Sequence, residues 1–196
     1  PRLLSQSINR KTAQRTSEAL QKLGLKESVA SRKVGNLLLG SVILERQNYQ
    51  DHLAYNERLG DDRARVRTYQ VALGAGEERR QQIARAAERE ARMLSVLSDH
   101  PNILRLKSYV PDGPRGEPCV VFEHFEDCLP LDGFLRANKD LSLDHRLHLL
   151  QLLADALAYC HRKRVLHRGL APSSVLVRKH RETGKPDLRL FNFQLA

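Results

Sequence analysis

The sequence has 196 residues, enough for one or two domains with a core of ordinary size, which excludes a disulfide-stabilised miniprotein. Hydrophobic residues make up 41% and charged residues 29%, with 11 glycines and 8 prolines, so the chain is neither collagen-like nor disordered over its length. The 33 Lys and Arg residues exceed the 23 Asp and Glu residues. The resulting net charge of +10 points to nucleic acid, an acidic membrane surface or an acidic partner.

The three cysteines, Cys119, Cys128 and Cys160, form no CxxC pair, so neither a disulfide framework nor a zinc site is predicted. We therefore expect a reducing, cytoplasmic setting. The apolar stretches are far shorter than the ~20 residues that cross a bilayer, so no membrane anchor is expected. Because the chain opens at Pro1 without a methionine, we expect it to be a piece of a longer polypeptide.

The first 37 residues differ from the rest of the chain. Residues 11–23 carry Ala13, Leu20 and Leu23 near one face and are followed by a glycine, which predicts a helix that ends there. We interpret residues 1–37 as a helical linker, whose basic side chains form a solvated face rather than a nucleic-acid surface.

From Leu38 onward the pattern changes to short strands and longer helices. Strands are predicted over 38–44, 49–55 and 65–72, with a turn at the Gly60-Asp61-Asp62 cluster, and a helix is predicted over 77–97. Beyond it the periodicity predicts two strands, two helices and two closing strands, over 103–110, 119–125, 131–137, 143–162, 174–178 and 188–193.

Two motifs near the end of the chain resemble those of protein kinases. Residues 167–177, HRGLAPSSVLV, resemble the kinase catalytic loop H-R-D-L-K-P-x-N-x-L-V. Residues 191–196, FNFQLA, resemble the metal-binding motif x-D-F-G-L-A at the expected distance. Residues 89–94 and 100–106 look like the end of the kinase C helix and the start of the fourth strand. The resemblance covers about residues 38–196.

This resemblance implies an α+β fold. Residues 38–127 would form a kinase-like N-lobe, a five-stranded antiparallel sheet plus the C helix, and residues 128–196 the first part of a helical C-lobe. The chain ends soon after the metal-binding motif, so we expect the later C-lobe helices to lie outside it. The four positions that kinases use for packing between the lobes are kept, at Leu94, Leu106, His167 and Phe193.

The positions that carry kinase chemistry are altered. Kinases transfer a phosphoryl group almost wholly by positioning and electrostatics, so each missing charge removes a part of the machinery. Aligning residues 66–69 with V-A-I-K places Tyr69 at the phosphate-binding lysine, where it cannot pair as a cation with Glu90. Gly169 replaces the aspartate that accepts the substrate's hydroxyl proton, and Ala171 replaces the neighbouring lysine. We therefore expect no catalytic residue in this loop.

The two metal-binding positions and the glycine-rich loop are altered as well. Ser174 and Asn192 stand where kinases hold magnesium, and their neutral side chains bind that ion weakly, so no metal site is predicted. Side chains replace all three glycines of the loop that covers the phosphates, and the carboxylate of Glu45 would repel phosphate. Arg67, on the same side of its strand as Tyr69, would fill space that kinases leave to an alanine. The degenerate cleft is predicted to contain Glu45, Gln47, Gln50, Arg67, Tyr69, Phe122 and Leu176.

Residues 32–39 and 49–54 also resemble the kinase-like region of large bacterial proteins that begin with a nuclease-related NERD domain. Some of these belong to phage-growth-limitation or BREX-type defence systems. The resemblance implies a module of a multidomain bacterial serine/threonine kinase-like protein.

Three hypotheses about function follow. The first is a pseudokinase, a catalytically inactive scaffold that regulates neighbouring domains or a protein partner and needs no cofactor. The second is an atypical kinase or nucleotide-binding transferase that holds ATP and magnesium in a rearranged cleft. The third is a basic nucleic-acid-binding module, which the sequence supports least because it carries no recognised nucleic-acid motif.

Overall fold

The computed structural model describes residues 32–56, 59, 62–72 and 74–194. The helix predicted over 11–23 and the glycine of the predicted turn lie outside these residues, as does nearly all of the predicted linker. Residues Lys33–Ala196 form one compact unit. Within the described ranges, no helix has the length and apolar character needed to cross a membrane.

The N-terminal half of this unit is built on an antiparallel sheet of six strands in the order β1-β2-β3-β4-β6-β5. The strands are β1 (Lys33–Val34), β2 (Leu37–Arg46), β3 (Tyr49–Asn56), β4 (Arg63–Tyr69), β5 (Leu106–Val110) and β6 (Cys119–Glu123). The sheet has one strand more than predicted because Lys33 and Val34 pair with the start of β2 through a turn at Gly35, whose φ is +58°. It begins at Lys33, not at Leu38.

A 21-residue helix, α1 (Glu77–Leu97), follows β4 with the bounds that the periodicity predicts. Two acidic residues in its first turn stabilise the helix, because their negative charges lie near the positive, N-terminal end of the helix dipole. Its buried face carries Ile83, Ala87, Ala91, Leu94 and Leu97. One charged side chain, that of Glu90, is fully buried on the same face, so a partner for its carboxylate is required.

The C-terminal half consists of helices against a small sheet. Helix α2 (Leu131–Ala137) is followed by α3 (Leu143–Arg162), whose N-terminus is capped by the Ser142 side chain. Strands β7 (Leu129–Pro130), β8 (Val175–Lys179) and β9 (Pro186–Leu190) form an antiparallel sheet in that order, with a 3-10 turn before β8. Strand β7 is not among the predicted elements.

Tertiary pairing changes the limits of two predicted strands. The strand predicted over 103–110 begins at Leu106, because Ile103 instead forms a parallel bridge with Leu190. The strand predicted over 188–193 starts at Pro186 and ends at Leu190. The chain leaves the sheet after Leu190 and reaches Asn192 in the left-handed region, with φ of +68°.

The alternation of side chains in β4 divides the core of the unit in two. Ala64 and Val66 point to one face of the sheet, where they pack with Val34, Ala54, Cys119 and Val121. The opposite face packs on α1 and continues into the C-terminal half in one apolar cluster. Residues of both halves belong to that cluster, among them Leu94, Phe122, Leu176, Leu190 and Phe193. The α+β architecture with the predicted order of elements is thus confirmed.

Candidate functional site

Strand β4 directs three polar side chains to the α1 side of the sheet, at Arg65, Arg67 and Tyr69. Arg67 is 0% exposed and is among the largest fully buried side chains of the unit. A buried guanidinium is costly unless opposite charges and hydrogen bonds compensate it. Its partners therefore define the chemistry of this region.

Each nitrogen of the Arg67 guanidinium donates to a partner within the protein. Its Nε donates to Asp51 Oδ1 at 2.7 Å, and its Nη1 donates to both carboxylate oxygens of Glu90, at 2.9 and 3.1 Å. Its Nη2 donates to Asp51 Oδ2 at 3.0 Å and to Asn192 Oδ1 at 2.7 Å. All three nitrogens of the guanidinium are therefore engaged by partners within the protein.

A second arginine completes the charge balance. Arg65 Nε and Nη2 both donate to Asp51 Oδ2, at 2.8 and 2.6 Å. Two guanidinium groups thus face the carboxylates of Asp51 and Glu90, so formal charges cancel in the buried cluster. Burial alone would raise the pKa of Asp51, but the charges of Arg67 and Arg65 outweigh it and hold the pKa below its usual value.

Two tyrosines border the guanidinium of Arg67. The Tyr69 hydroxyl donates to Glu90 Oε2, and the Tyr49 hydroxyl donates to Asn192 Oδ1 at 3.3 Å. The guanidinium carbon of Arg67 lies 3.8 Å from the centroid of the Tyr49 ring, a cation–π contact. Burial, followed by the nearby Glu90 carboxylate, raises the pKa of Tyr69 well above its ordinary value, so this hydroxyl remains a donor.

Asn192 connects this cluster to the segment that follows β9. Its Oδ1 accepts from Arg67 and from Tyr49, and its Nδ2 donates to the Ser173 carbonyl oxygen at 3.3 Å. An amide oxygen has two lone pairs, so both are taken. Asparagine also tolerates the left-handed backbone at this position.

The loop before β8 is held by bonds within itself. The Gly169 N–H donates to the His167 carbonyl oxygen at 2.7 Å, and the Ser174 hydroxyl donates to the Gly169 carbonyl oxygen at 3.1 Å. The His167 Nε2 lies 2.8 Å from the Phe191 carbonyl oxygen, and its ring centroid lies 4.7 Å from that of Phe193. Burial lowers the pKa of His167, which keeps the imidazole neutral.

Sequence comparison identifies the family. The profile described as protein tyrosine and serine/threonine kinase matches residues 55–191, more than half of the chain. The chain belongs to the protein kinase family. It is 32% identical over 197 residues to "Probable kinase PglW" of Streptomyces coelicolor, which covers 91% of this chain and 12% of that protein. It is also 33% identical over 116 residues to "Mitogen-activated protein kinase homolog NTF6" of Nicotiana tabacum, covering 58% of this chain and 29% of that protein. The chain thus spans less than a third of either relative.

Glu90 of the kinase C helix, here α1, has a cationic partner in the sheet that the sequence alignment did not predict. Arg67, and not Tyr69, supplies the cation that pairs with Glu90, two residues before the position aligned with the kinase lysine. Arg67 and Tyr69 lie on the same side of β4 and both reach Glu90, and only the arginine carries a charge. Tyr69 still contacts Glu90, but as a neutral donor.

The other predicted cleft residues fall into separate groups. Glu45, Gln47 and Gln50 lie at the tip of the β2–β3 hairpin, where Gln50 Nε2 donates to Glu45 Oε1 at 2.7 Å. Phe122 and Leu176 are buried in the apolar cluster shared by both halves. Gly169, Ala171 and Ser174 lie in or beside the 3-10 turn before β8. Tyr69, Glu90, Arg67 and Asn192 are brought together.

Sequence reasoning missed Asp51, the residue that binds both arginines. It lies directly opposite Arg67 in the β3–β4 ladder and is fully buried. Aspartate is depleted in strands, so its presence inside a predicted strand, on the same side as Tyr49, was the available signal.

Two cavities lie away from the Arg67 cluster. One, of about 220 Å³, is lined by leucines of α2 and α3 together with Val175 and Leu188. The other, of about 150 Å³, lies beside the end of α1, at residues such as His100 and Arg189. Among the residues that the structure describes, no group of three or more His, Cys, Asp or Glu side chains could hold a metal ion.

Proposed function

We propose that this chain is a pseudokinase module that neither binds nor transfers phosphate and acts as a regulatory or scaffolding domain of a larger bacterial protein. One observation carries the proposal. All three guanidinium nitrogens of Arg67, the cation that pairs with the C-helix glutamate, already donate to Asp51, Glu90 or Asn192.

The energetic cost of admitting nucleotide supports this assignment. A phosphate that approaches the Arg67 guanidinium would compete with Asp51, Glu90 and Asn192 for its three nitrogens. Displacing either carboxylate from a buried pair leaves an uncompensated charge, which costs about 3–5 kcal/mol. Binding with a Kd of 1 mM supplies only about 4.1 kcal/mol, so this cost would cancel ordinary millimolar affinity.

The residues at the metal-binding positions do not fit a nucleotide-bound magnesium ion. Magnesium is held in such sites by carboxylates, with phosphate and water completing the octahedron. Asn192 has a neutral amide whose oxygen already accepts two hydrogen bonds, and the Ser174 hydroxyl donates to Gly169. No step in this module is therefore assigned to magnesium.

A general base is also missing from the loop. The sequence has no aspartate or glutamate between Asp155 and Glu182, the stretch that contains the counterpart of the catalytic loop. His167, the one histidine in the motif, is buried and bonded to the Phe191 carbonyl oxygen. A substrate hydroxyl would find no side chain in the loop positioned to accept its proton.

What the chain retains is packing. Leu94, His167 and Phe193 are buried between the halves, and Leu106 packs against the same cluster. A chain that keeps these packing residues and lacks the charged residues of catalysis is suited to bind other domains through its surface. Because this chain corresponds to 12% of its relative PglW, we propose that other domains of the same parent protein are its partners. The NERD-like and phage-defence resemblance of residues 32–39 and 49–54 belongs to the same proposal.

One observation favours the second candidate, an atypical kinase or nucleotide-binding transferase. The Arg67–Glu90 ion pair, with N···O of 2.9 Å, joins the sheet to α1 as active kinases require. Under this candidate, ATP and magnesium would enter after the Asp51 and Asn192 bonds to Arg67 rearrange.

Nucleotide titration tests the proposal against this candidate. We expect the melting temperature of the chain to stay constant in millimolar ATP with magnesium, whereas ligand at a hundredfold excess over Kd stabilises by ~2.7 kcal/mol. Arg85→Met removes an exposed arginine of α1 and is the matched control for non-specific binding of ATP to surface arginines. Magnesium-dependent stabilisation that Arg85→Met retains and Arg67→Lys loses would overturn the proposal, as would phosphorylation by the parent protein that Asn192→Ala abolishes.

A further inference from the structure

We propose that Arg67 is an internal substitute for the nucleotide, which holds the two halves closed on one another and fixes α1 without any ligand. This inference rests on the proposed function and adds to it a mechanism by which the module keeps one shape. The surface of such a module would keep the same shape whether or not ATP is present.

The first support is the set of elements that Arg67 joins. From β4 its guanidinium reaches Asp51 on β3, Glu90 on α1 and Asn192 beyond β9. The first two belong to the N-terminal half and the third to the C-terminal half. Tyr49 on β3 makes a parallel link to the same oxygen of Asn192. Two donors from the N-terminal sheet thus hold one side chain of the other half.

The guanidinium also fills the space between the halves. The ring centroids of Tyr49, Phe122 and Phe191 lie 3.8, 5.4 and 5.6 Å from its central carbon. Such contacts strengthen when the cation is desolvated, as Arg67 is. The side chain is therefore enclosed by aromatic rings and by hydrogen-bond acceptors, and movement of the halves would expose or unpair it.

A second link lies at the segment that connects the halves, between β6 and β7. Two arginines of the β8–β9 hairpin, Arg178 and Arg189, place their guanidinium carbons 4.2 and 4.7 Å from the Phe125 ring centroid. Arg189 Nε also lies 3.4 Å from Glu123 Oε1, in a pair that is mostly shielded from solvent. The connecting segment is thus held against the hairpin rather than free to bend.

A third link is made by the backbone. The Leu104 N–H donates to the Leu190 carbonyl oxygen at 2.9 Å, and the Leu190 N–H donates to the Asn102 carbonyl oxygen at 2.8 Å. Strand β9 is thereby joined to the loop that follows α1. Hinge motion requires a few residues to absorb the change while other contacts break. Three links at separate places oppose that motion.

A purely structural ion network would behave differently. Buried ion pairs can often be replaced by apolar side chains without loss of stability. If the network served folding alone, the pairs of Arg67 with Asp51 and Glu90, all within the N-terminal half, would suffice. The bonds to Asn192 cross to the other half and involve no charge on the acceptor. Cutting them leaves the ion pairs intact, so their role in holding the halves can be measured separately from folding.

Distance measurements between the halves test the inference. Spin labels at Ser41→Cys on β2 and Gln151→Cys on α3, both exposed positions, report the separation in a chain that also carries Cys128→Ser. We expect one narrow distance distribution that millimolar ATP and magnesium leave unchanged, and about a doubling of its width in Asn192→Ala combined with Tyr49→Phe. Arg92→Ala, which removes only the exposed ion pair with Glu88 within α1, is the matched control and should leave the distribution narrow.

The outcomes separate the two proposals. A broad distribution in the unaltered chain, or no broadening in the Asn192→Ala and Tyr49→Phe variant while it remains folded, would overturn the internal-substitute role and leave the pseudokinase assignment in place. Narrowing of the unaltered chain's distribution on addition of ATP and magnesium would overturn both. Circular dichroism melting of each variant shows that it is folded.

Discussion

Arg67 Nη2 and Asn192 Oδ1 lie 2.7 Å apart, so a cation of the N-terminal sheet is hydrogen-bonded to the residue that aligns with the metal-binding aspartate of kinases. The two residues are 125 positions apart in the chain and come together only in the folded unit. Arg67 lies two residues before the position aligned with the phosphate-binding lysine, and Asn192 aligns with the metal-binding aspartate, so their bond links the two regions whose kinase residues are altered.

Restoring the metal-binding carboxylate should not restore nucleotide binding. In Asn192→Asp the new carboxylate faces Arg67, and a charge-assisted hydrogen bond between them is about twice as strong as a neutral one. We expect no change in melting temperature on addition of ATP and magnesium to this variant. A saturable, magnesium-dependent rise would contradict the closed cleft.

Removing the Arg67 guanidinium should destabilise the unit strongly. Arg67→Met leaves Glu90 without its ion-pair partner in a fully buried site, and breaking such a pair costs about 3–5 kcal/mol. Arg85→Met, on the exposed face of the same structural unit, should change the free energy of unfolding by less than ~0.5 kcal/mol. Urea titration of the two variants measures the difference.

A compensating change distinguishes lost pairing from lost packing. Arg67→Met combined with Glu90→Gln removes the uncompensated carboxylate, while Asp51 retains Arg65. We expect the double variant to regain part of the stability that Arg67→Met loses, since a neutral amide costs less to bury. Equal or greater destabilisation in the double variant would show that the unpaired charge of Glu90 is not the reason why Arg67→Met loses stability.

The hydroxyl groups of Tyr69 and Tyr49 should contribute unequally to the free energy of unfolding. Tyr69 donates to the carboxylate of Glu90, and hydrogen bonds to charged groups contribute about 1.5–3 kcal/mol. Tyr49 donates to a neutral amide at 3.3 Å, for which about 0.5–1.5 kcal/mol is expected. Urea unfolding of Tyr69→Phe and Tyr49→Phe should therefore rank Tyr69→Phe as the less stable variant, and the reverse order would argue against Glu90 as a charged acceptor.

Acid should destabilise the fold in two pH windows. Burial lowers the pKa of His167, so the unfolded chain binds a proton more readily and stability falls as pH drops from about 6.5 through the folded pKa. The pKa of Asp51 is lowered despite burial, because Arg67 and Arg65 favour its ionised form, so further stability is lost below about pH 4. Unfolding free energies at several pH values should show a shallower upper window in His167→Gln; an unchanged slope would contradict this.

Much of the fold could be predicted from local pattern. Helix α1 has the predicted bounds because its apolar residues recur at helical spacing over 21 positions. Strand β7 was missed because two residues carry no periodicity, and its pairing with β8 is set by tertiary contacts. The bridge from Ile103 to Leu190 joins residues far apart in sequence, so it could not be read from either segment.

The candidate site could be predicted only in part for a related reason. Alternation placed Arg67 and Tyr69 on one side of β4, and both do contact Glu90. That Arg67 reaches Glu90 from two positions before the aligned lysine depends on how β4 packs against α1, which the strand alone does not encode. Asp51 belongs to the site because it lies opposite Arg67 in the pairing of β3 with β4.

The central claim is that all three guanidinium nitrogens of Arg67 are committed within the protein, and the Nε–H resonance of Arg67 in an NMR spectrum tests it most directly. Arg67→Lys assigns the signal by its loss. We predict one slowly exchanging Arg67 Nε–H signal whose chemical shift stays constant as ATP and magnesium are added to millimolar concentration. A saturable shift of that signal, or its rapid exchange with water in the unliganded chain, would contradict the account.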